Sequence, residues 1–343
     1  MNAEQLPATR DRRQRILSEL RLSIVDRCNY RCPYCMPADQ IDEKRDFLAP
    51  SARMSADEIE TLVRAFVSLG VSKLRLTGGE PLLSKDLPEL IERLAAIAEI
   101  EDLALTTNGS LLAAQAGRLR QAGLHRLTVS VDSLDPDQFA RLSGERGRLS
   151  EVLAGIEAAV AAGFSPLRIN CVVQRGVNDD QVLPLVEHFR GTPHVLRFIE
   201  FMDVGTLNGW SPQAVVSAAE LRAMIGDRYP MLPIQRGTAG TTASRYRLVD
   251  GSAEIGFVAS VSEPFCSDCG RARVAADGQL YTCLFASRSV DLLGPMRAGE
   301  NQAAIAARIA AVWQQREDRY SELRGGRLGL PLPVKVQMYT VGG

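Results

Sequence analysis

From residue 21 to residue 201 the chain alternates short apolar runs with amphipathic stretches, and this alternation constrains its fold more than any other feature. The runs at 22–25, 73–77, 103–106, 127–131, 167–172 and 195–201 read as strands. The stretches at 56–69, 87–97, 111–122, 152–162 and 181–189 carry helical spacing. Ser55, ahead of Asp57 and Glu58, predicts a helix start, and Gly70, Gly123 and Gly163 fall where helices end. Regular β–α alternation calls for parallel strands joined by helical crossovers. Six units are too few to close an eight-fold barrel and enough for an open one. We therefore expect an α/β chain built on a partial (β/α)6, TIM-like barrel.

The pattern changes after residue 205. A loop-like stretch at 205–213 precedes a short helix at 217–225 and a flexible connection at 237–242. Strand-like runs follow at 245–249 and 254–259, then a helix at 303–313. The expected division is an N-terminal arm at 1–19, the partial barrel at 20–235 and a smaller C-terminal domain at 236–343. The arm is polar and charged without an apolar core, so it reads as loosely ordered and not as a signal peptide. No apolar run approaches the ~20 residues that cross a bilayer. Forty Lys and Arg against 41 Asp and Glu leave a net charge of −1. Bulk charge thus supports neither a nucleic-acid partner nor a membrane surface. A cytoplasmic location is expected.

Seven cysteines cannot all pair internally, and a reducing compartment leaves them free for metal. Six fall into two groups of three. Cys28, Cys32 and Cys35 stand at Cys-x3-Cys-x2-Cys directly after the first expected strand. Three thiolates on one loop can hold three irons of a cubane cluster and leave the fourth open to a small molecule. The alternative is zinc, which normally takes four ligands. Tyr34, between two of these cysteines, could shield a cluster or pack on an adenine. Cys266, Cys269 and Cys283 again offer three thiols, and none of the three histidines is near in sequence. A second cluster with an open iron is the simple inference; a zinc ribbon with another ligand, or a site shared with the first group, is the alternative. Cys171 stands alone and reads as a packed core thiol.

Polar residues recur with period two on the expected strands: Arg21 with Ser23, Arg75 with Thr77, Thr106 with Asn108, Ser130 with Asp132, and Arg168 with Asn170. Ligands of parallel α/β folds sit at the carboxyl ends of strands, so the set suggests a lined site. Arg271 and Arg273 share a strand face, and with Arg21, Arg75, Arg168 and Arg197 they would suit a polyanion such as a triphosphate. Taken singly, each arginine could instead pair with an acidic neighbour, as Arg197 with Glu200. Gly78, Gly79 and Glu80 follow the second strand; the glycines allow a close backbone approach to a ligand, and Glu80 could accept from an ammonium group.

The first cysteine spacing, with GGEP after the second strand, resembles the radical S-adenosylmethionine superfamily. Adding TTNG, SVDSL, RFIEFM and CSDCGRAR, the chain resembles the molybdenum cofactor biosynthesis protein A family, the GTP 3′,8-cyclases, from about Arg21 to its last residue. The resemblance implies two [4Fe–4S] clusters, one in the C-terminal domain, and S-adenosylmethionine. Its reaction takes a hydrogen from ribose C3′ of GTP, and C3′ then bonds to guanine C8, giving (8S)-3′,8-cyclo-7,8-dihydroguanosine 5′-triphosphate. Cys28, Cys32 and Cys35 would bind the first cluster, and Cys266, Cys269 and Cys283 the second, on whose open iron the guanine would sit. Tyr34, Gly79, Ser130 and Met202 would contact S-adenosylmethionine. Arg21, Arg75, Thr106, Arg168, Arg197, Arg271 and Arg273 would contact GTP or its surroundings. At Arg168 the family usually has lysine. Catalytic roles would fall to Arg271 and to the terminal Gly342 and Gly343, whose tail reaches the active site in this family. The product would pass to cyclic pyranopterin monophosphate synthase, electrons would come from an unidentified donor, and a homodimer is compatible. The alternatives are a radical enzyme with one auxiliary cluster acting on a peptide, and a zinc-bearing scaffold.

Overall fold

The computed structural model describes residues 8–41, 47–235, 242–325 and 335–342. All six expected strands form: β1 (Glu19–Ser23), β2 (Lys73–Thr77), β3 (Asp102–Thr107), β4 (Arg126–Ser130), β5 (Arg168–Val173) and β6 (Val195–Glu200). They pair in parallel and in chain order. The crossovers are helical: α1 (Ala56–Val67), α2 (Leu87–Ala95), α3 (Leu112–Gln121), α4 (Pro136–Leu142) with α5 (Leu149–Ala161), and α6 (Val182–Phe189). The start of α1 is a capping box, with Ser55 accepting from the Glu58 amide and Glu58 accepting from the Ser55 amide. The short α4 was not expected; Asp135 caps it and Pro136 opens it.

Strand alternation sorts the side chains. Leu20, Leu22, Leu74, Leu76, Ile169, Cys171, Leu196 and Phe198 are buried in the core between sheet and helices. Their odd or even neighbours Arg21, Arg75, Arg168, Asn170 and Arg197 turn to the concave face.

The later part of the chain completes the same sheet. After α7 (Ala218–Gly226) come β7 (Met231–Ile234), β8 (Ser244–Leu248), β9 (Glu254–Val258), β10 (Arg271–Val274), β11 (Gln279–Tyr281) and β12 (Val290–Asp291). The order is β12-β11-β10-β1-β2-β3-β4-β5-β6-β9-β8-β7. Thus β9 pairs with β6 at one edge of the six-strand unit, while β10 pairs with β1 at the other. Residues 259–270, which join β9 to β10, must run from one edge to the other, and they carry Cys266 and Cys269. The chain closes with α8 (Leu293–Arg297), α9 (Gln302–Gln314), α10 (Tyr320–Leu323) and α11 (Met338–Val341).

Residues 8–19 of the expected loose arm are well tied. Asp11 and Arg15 are buried and ion-paired at 2.6 Å, and the Arg15 carbonyl accepts from the Trp313 indole at 3.2 Å. The tail is also held. Tyr339 of α11 packs edge-on to Phe47 beside Met36. Lys335 reaches buried Asp203 at 2.7 Å, where Arg324 also pairs at 2.9 Å.

Candidate active site

One cavity of about 820 Å³ lies on the concave face of the sheet, and all six cysteines of the two triads line it. So do Tyr34, Gly79, Ser130, Met202, Thr106 and the six arginines expected at the site. Gly342 reaches it through Arg273, whose Nη1 donates to the Gly342 carbonyl at 2.9 Å. Gly342 has φ 66°, and a Cβ there would fall 2.2 Å from the Thr77 hydroxyl, so the tail fits against β2 only as glycine. Gly343 lies outside the described residues.

The first triad follows β1. A tight turn returns the amides of Cys35 and Met36 to the Cys32 carbonyl at 2.9 and 2.8 Å. The Cys28 sulfur accepts from the Tyr30 amide at 3.4 Å and the Asn108 amide group at 3.9 Å. Burial pushes the Cys28 thiol up to about 11, helped by Glu80, and the Cys35 thiol to about 12. The Tyr34 hydroxyl donates to Asp132 at 2.7 Å, and Asp132 also accepts from the Val172 amide at 2.9 Å.

The turn at Gly78–Glu80 differs from expectation. A Cβ on Gly79 would lie 2.2 Å from the Arg27 carbonyl, so the close approach is to the protein's own Val25–Cys28 backbone. Both Glu80 oxygens are already used, by the Leu82 amide at 3.0 Å, the Thr107 hydroxyl at 2.7 Å and the Asn108 amide at 2.7 Å. Glu80 therefore staples β2 to the end of β3, with two bonds accepted at Oε1 and one at Oε2.

The arginines form a row. Arg273, Arg21 and Arg75 lie directly opposite one another on β10, β1 and β2, with neighbouring strands ~4.8 Å apart. Like charges so placed repel. Glu19 offsets part of this, with Oε1 at 3.1 Å from Arg21 and 3.7 Å from Arg75. Burial would raise its pKa, but Arg21, Arg75 and Arg271 outweigh that and hold it at about 2. The expected Arg197–Glu200 pair does not form. Glu200 accepts from the amides of Ala218, Val261 and Ser262 at 2.7 to 2.9 Å, while Arg197 donates to Asn170 at 2.9 Å. Among the described residues, no carboxylate pairs with Arg168, Arg197, Arg271 or Arg273 within ion-pair distance. Burial, then neighbouring cations, pushes the pKa values of Arg197 and Arg273 well below the usual range. Buried Arg271 Nη1 and Arg75 Nε have no hydrogen-bond partner. Such a surplus of buried, under-paired guanidinium groups is suited to an anion with many oxygens.

The second triad occupies the segment between β9 and β10 and the turn after β11. Arg271 and Arg316 both donate to the Cys269 sulfur, at 3.2 and 3.4 Å. Burial opposes these cations, yet they bring the Cys269 thiol down to about 6. Among the described residues, no three His, Cys, Asp or Glu side chains converge tightly enough to grip one metal ion. Three thiolates of a cubane cluster sit on three separate irons, so they need not converge on one point. The six thiols are unpaired, so both donor sets fit such a group.

Glu19, Lys73 and Arg316 were not expected at the site. Glu19 shares the parity of Arg21, and Lys73 that of Arg75, so the period-two signal could have found them. Arg316 follows α9 without any local signal.

Residues 22–189 match the Radical SAM superfamily, and residues 194–322 match Molybdenum Cofactor Synthesis C. A GTP 3′,8-cyclase of Xanthomonas axonopodis pv. citri is 58% identical over 335 residues, spanning 97% of this chain and 98% of that protein. A GTP 3′,8-cyclase of Staphylococcus aureus is 38% identical over 336 residues, spanning 97% and 98%. Among solved structures, Streptococcus suis SuiB bound to S-adenosylmethionine superposes with TM-score 0.61 at 16% identity, covering 90% of this chain and 68% of that one. This last likeness concerns the fold alone.

Proposed function

This chain belongs to the GTP 3′,8-cyclase family of radical S-adenosylmethionine enzymes, and on that premise we propose how this cavity divides the work. The enzyme converts GTP to (8S)-3′,8-cyclo-7,8-dihydroguanosine 5′-triphosphate, an early step of molybdenum cofactor biosynthesis. The observation that carries the division is that both cysteine triads and the arginine row line the same cavity of about 820 Å³.

Cys28, Cys32 and Cys35 would hold a [4Fe–4S] cluster, which would supply the reducing electron for cleavage of S-adenosylmethionine. Cys266, Cys269 and Cys283 would hold a second cluster, which would supply an anchoring point for the guanine. Tyr34, oriented through Asp132, contacts S-adenosylmethionine together with Gly79, Ser130 and Met202. Arg273, Arg21 and Arg75, with Arg271, Arg168 and Arg197, take the triphosphate, whose charge relieves their mutual repulsion. Thr106 steadies Arg75, which donates to its hydroxyl at 3.3 Å. Arg273 also fixes the Gly342 carbonyl, so Gly342 meets the substrate beside its phosphates. Fixing the nucleotide at both ends would leave C3′ and C8 little freedom apart from the reacting geometry.

Outside the cavity, the reading has the enzyme working in the cytoplasm, and no helix among the described residues is long and apolar enough to cross a membrane. It has a separate protein donating electrons, a cyclic pyranopterin monophosphate synthase consuming the product, and a homodimer as the assembly.

The test is anaerobic incubation of the reduced enzyme with S-adenosylmethionine and GTP. We expect GTP-dependent 5′-deoxyadenosine, cyclised product and about eight irons per chain. Peptide-dependent cleavage with none driven by GTP would overturn the reading. About four irons would remove the second cluster alone.

A further inference from the structure

Two buried arginines grip the backbone at two ligand positions of the second triad and beside the third. Arg15 Nη1 donates to the Cys266 carbonyl at 2.8 Å. Arg316 Nη1 donates to the Cys269 carbonyl at 2.7 Å, and its Nε to the carbonyl of Thr282, next to Cys283, at 3.0 Å. The two segments so joined flank the β10–β11 pair, and Arg316 bridges them with one rigid fork. Its remaining nitrogen, Nη2, points at the Cys269 sulfur at 3.4 Å.

The fork is itself braced. Asp11 is 2% exposed and lies between the two arginines, with Oδ2 2.6 Å from Arg15 Nε and 3.2 Å from Arg316 Nη1. Its Oδ1 accepts from the Arg13 and Arg15 amides at 2.9 Å. Trp313 stacks under the Arg316 guanidinium at 4.4 Å. Asp318 reaches Arg316 at 3.4 Å and the Thr282 hydroxyl at 2.5 Å. Burying these charges is costly unless they are paired and hydrogen-bonded, as they are here. What they hold is the ligand loops.

We propose that Arg316, braced by Asp11 and Arg15, is a positioning residue for the second metal centre: it fixes the spacing of the Cys269 and Cys283 segments and makes the centre easier to reduce. The inference rests on the reading that this triad holds a [4Fe–4S] cluster. The electronic part follows from elementary chemistry. A thiolate that accepts N–H bonds gives less electron density to its iron, and hydrogen bonds to sulfur are among the factors that set cluster potentials. A buried cation also favours the more negative, reduced cluster. Both effects raise the potential. At the first triad the arginine Arg31 donates instead to the carbonyls of Cys28 and Tyr30, each at 2.7 Å.

The test uses the full, anaerobically loaded enzyme with Arg316→Gln and Arg316→Lys, reading iron and sulfide per chain and an EPR-monitored reductive titration. The first cluster is the internal reference. For Arg316→Gln we expect the second cluster's reduction equilibrium to fall about tenfold, ~59 mV for one electron, with the first unmoved. Arg316→Lys should shift it less, because charge is kept. Two intact clusters with unchanged potentials in Arg316→Gln would overturn the inference. Loss of about four irons with the first-cluster signal kept would support the holding role. In that case Asp11→Asn, which leaves Arg316 in the chain, should show the downward shift in milder form, and no shift there would overturn the electronic role. A wild-type enzyme with about four irons would instead remove the second-cluster reading, and this inference with it.

Discussion

Around Cys28, Cys32 and Cys35 the protein offers sulfur amide donors in an apolar pocket, whereas around Cys269 it brings two guanidinium groups. At the first triad burial is the leading cause and neighbouring negative groups add to it, driving its thiols upward, Cys32 well above the usual range. In the second triad burial meets opposition, and the Cys269 thiol falls to about 6 while that of Cys283 is pushed by burial and Asp318 up to about 12. The difference matches the charge of what each end is proposed to receive. S-adenosylmethionine carries a sulfonium cation, and Arg31 beside the first triad is engaged with the carbonyls of Cys28 and Tyr30. GTP is a polyanion, and the arginines gather at the other end.

The comparison can be broken first at the ligands. Cys28→Ala should abolish S-adenosylmethionine cleavage. Cys283→Ala should abolish cyclised product yet leave measurable 5′-deoxyadenosine, and chromatography of both products reads the contrast. Equal loss of cleavage in both variants would erase the distinction between the triads. Next comes Arg271→Ala. Losing charge-assisted bonds costs about 2 kcal/mol, so GTP should bind roughly thirtyfold more weakly with S-adenosylmethionine within twofold; calorimetry with each ligand decides. Gly342→Ala forces a side chain into Thr77 at a positive φ, a strain of ~1–3 kcal/mol. Turnover should fall about tenfold while iron content holds, and normal turnover would show that the tail adjusts. The smallest effect belongs to Tyr34→Phe, which removes the bond to Asp132 worth ~1 kcal/mol. S-adenosylmethionine affinity should drop about fivefold, and a matching drop for GTP would mean that Tyr34 serves the whole cavity.

What was legible in the chain was local. The cysteine spacings, the period-two arginines and the six strands depend on neighbours in sequence, and the structure forms those strands where expected. The stapling bonds of Glu80 were not legible, because a carboxylate after two glycines has the same spelling whether or not it also ties a turn to the next strand. The arginine row was beyond reach, since it depends on β10 docking beside β1, a pairing of distant segments with no local trace. Arg316 is the same case: a helix-end arginine becomes decisive only through contacts with Asp11 and Cys269.

The placement of β9 and β10 at opposite edges also has a consequence in time. On the ribosome the six parallel strands emerge first, with both edges bare until residues 254–274 have been made. Bare edges invite pairing with other chains. The growing enzyme is therefore most exposed to aggregation in that interval, and nascent chains halted after β6 should associate more readily than chains halted after β10, a difference that sedimentation of stalled complexes can measure.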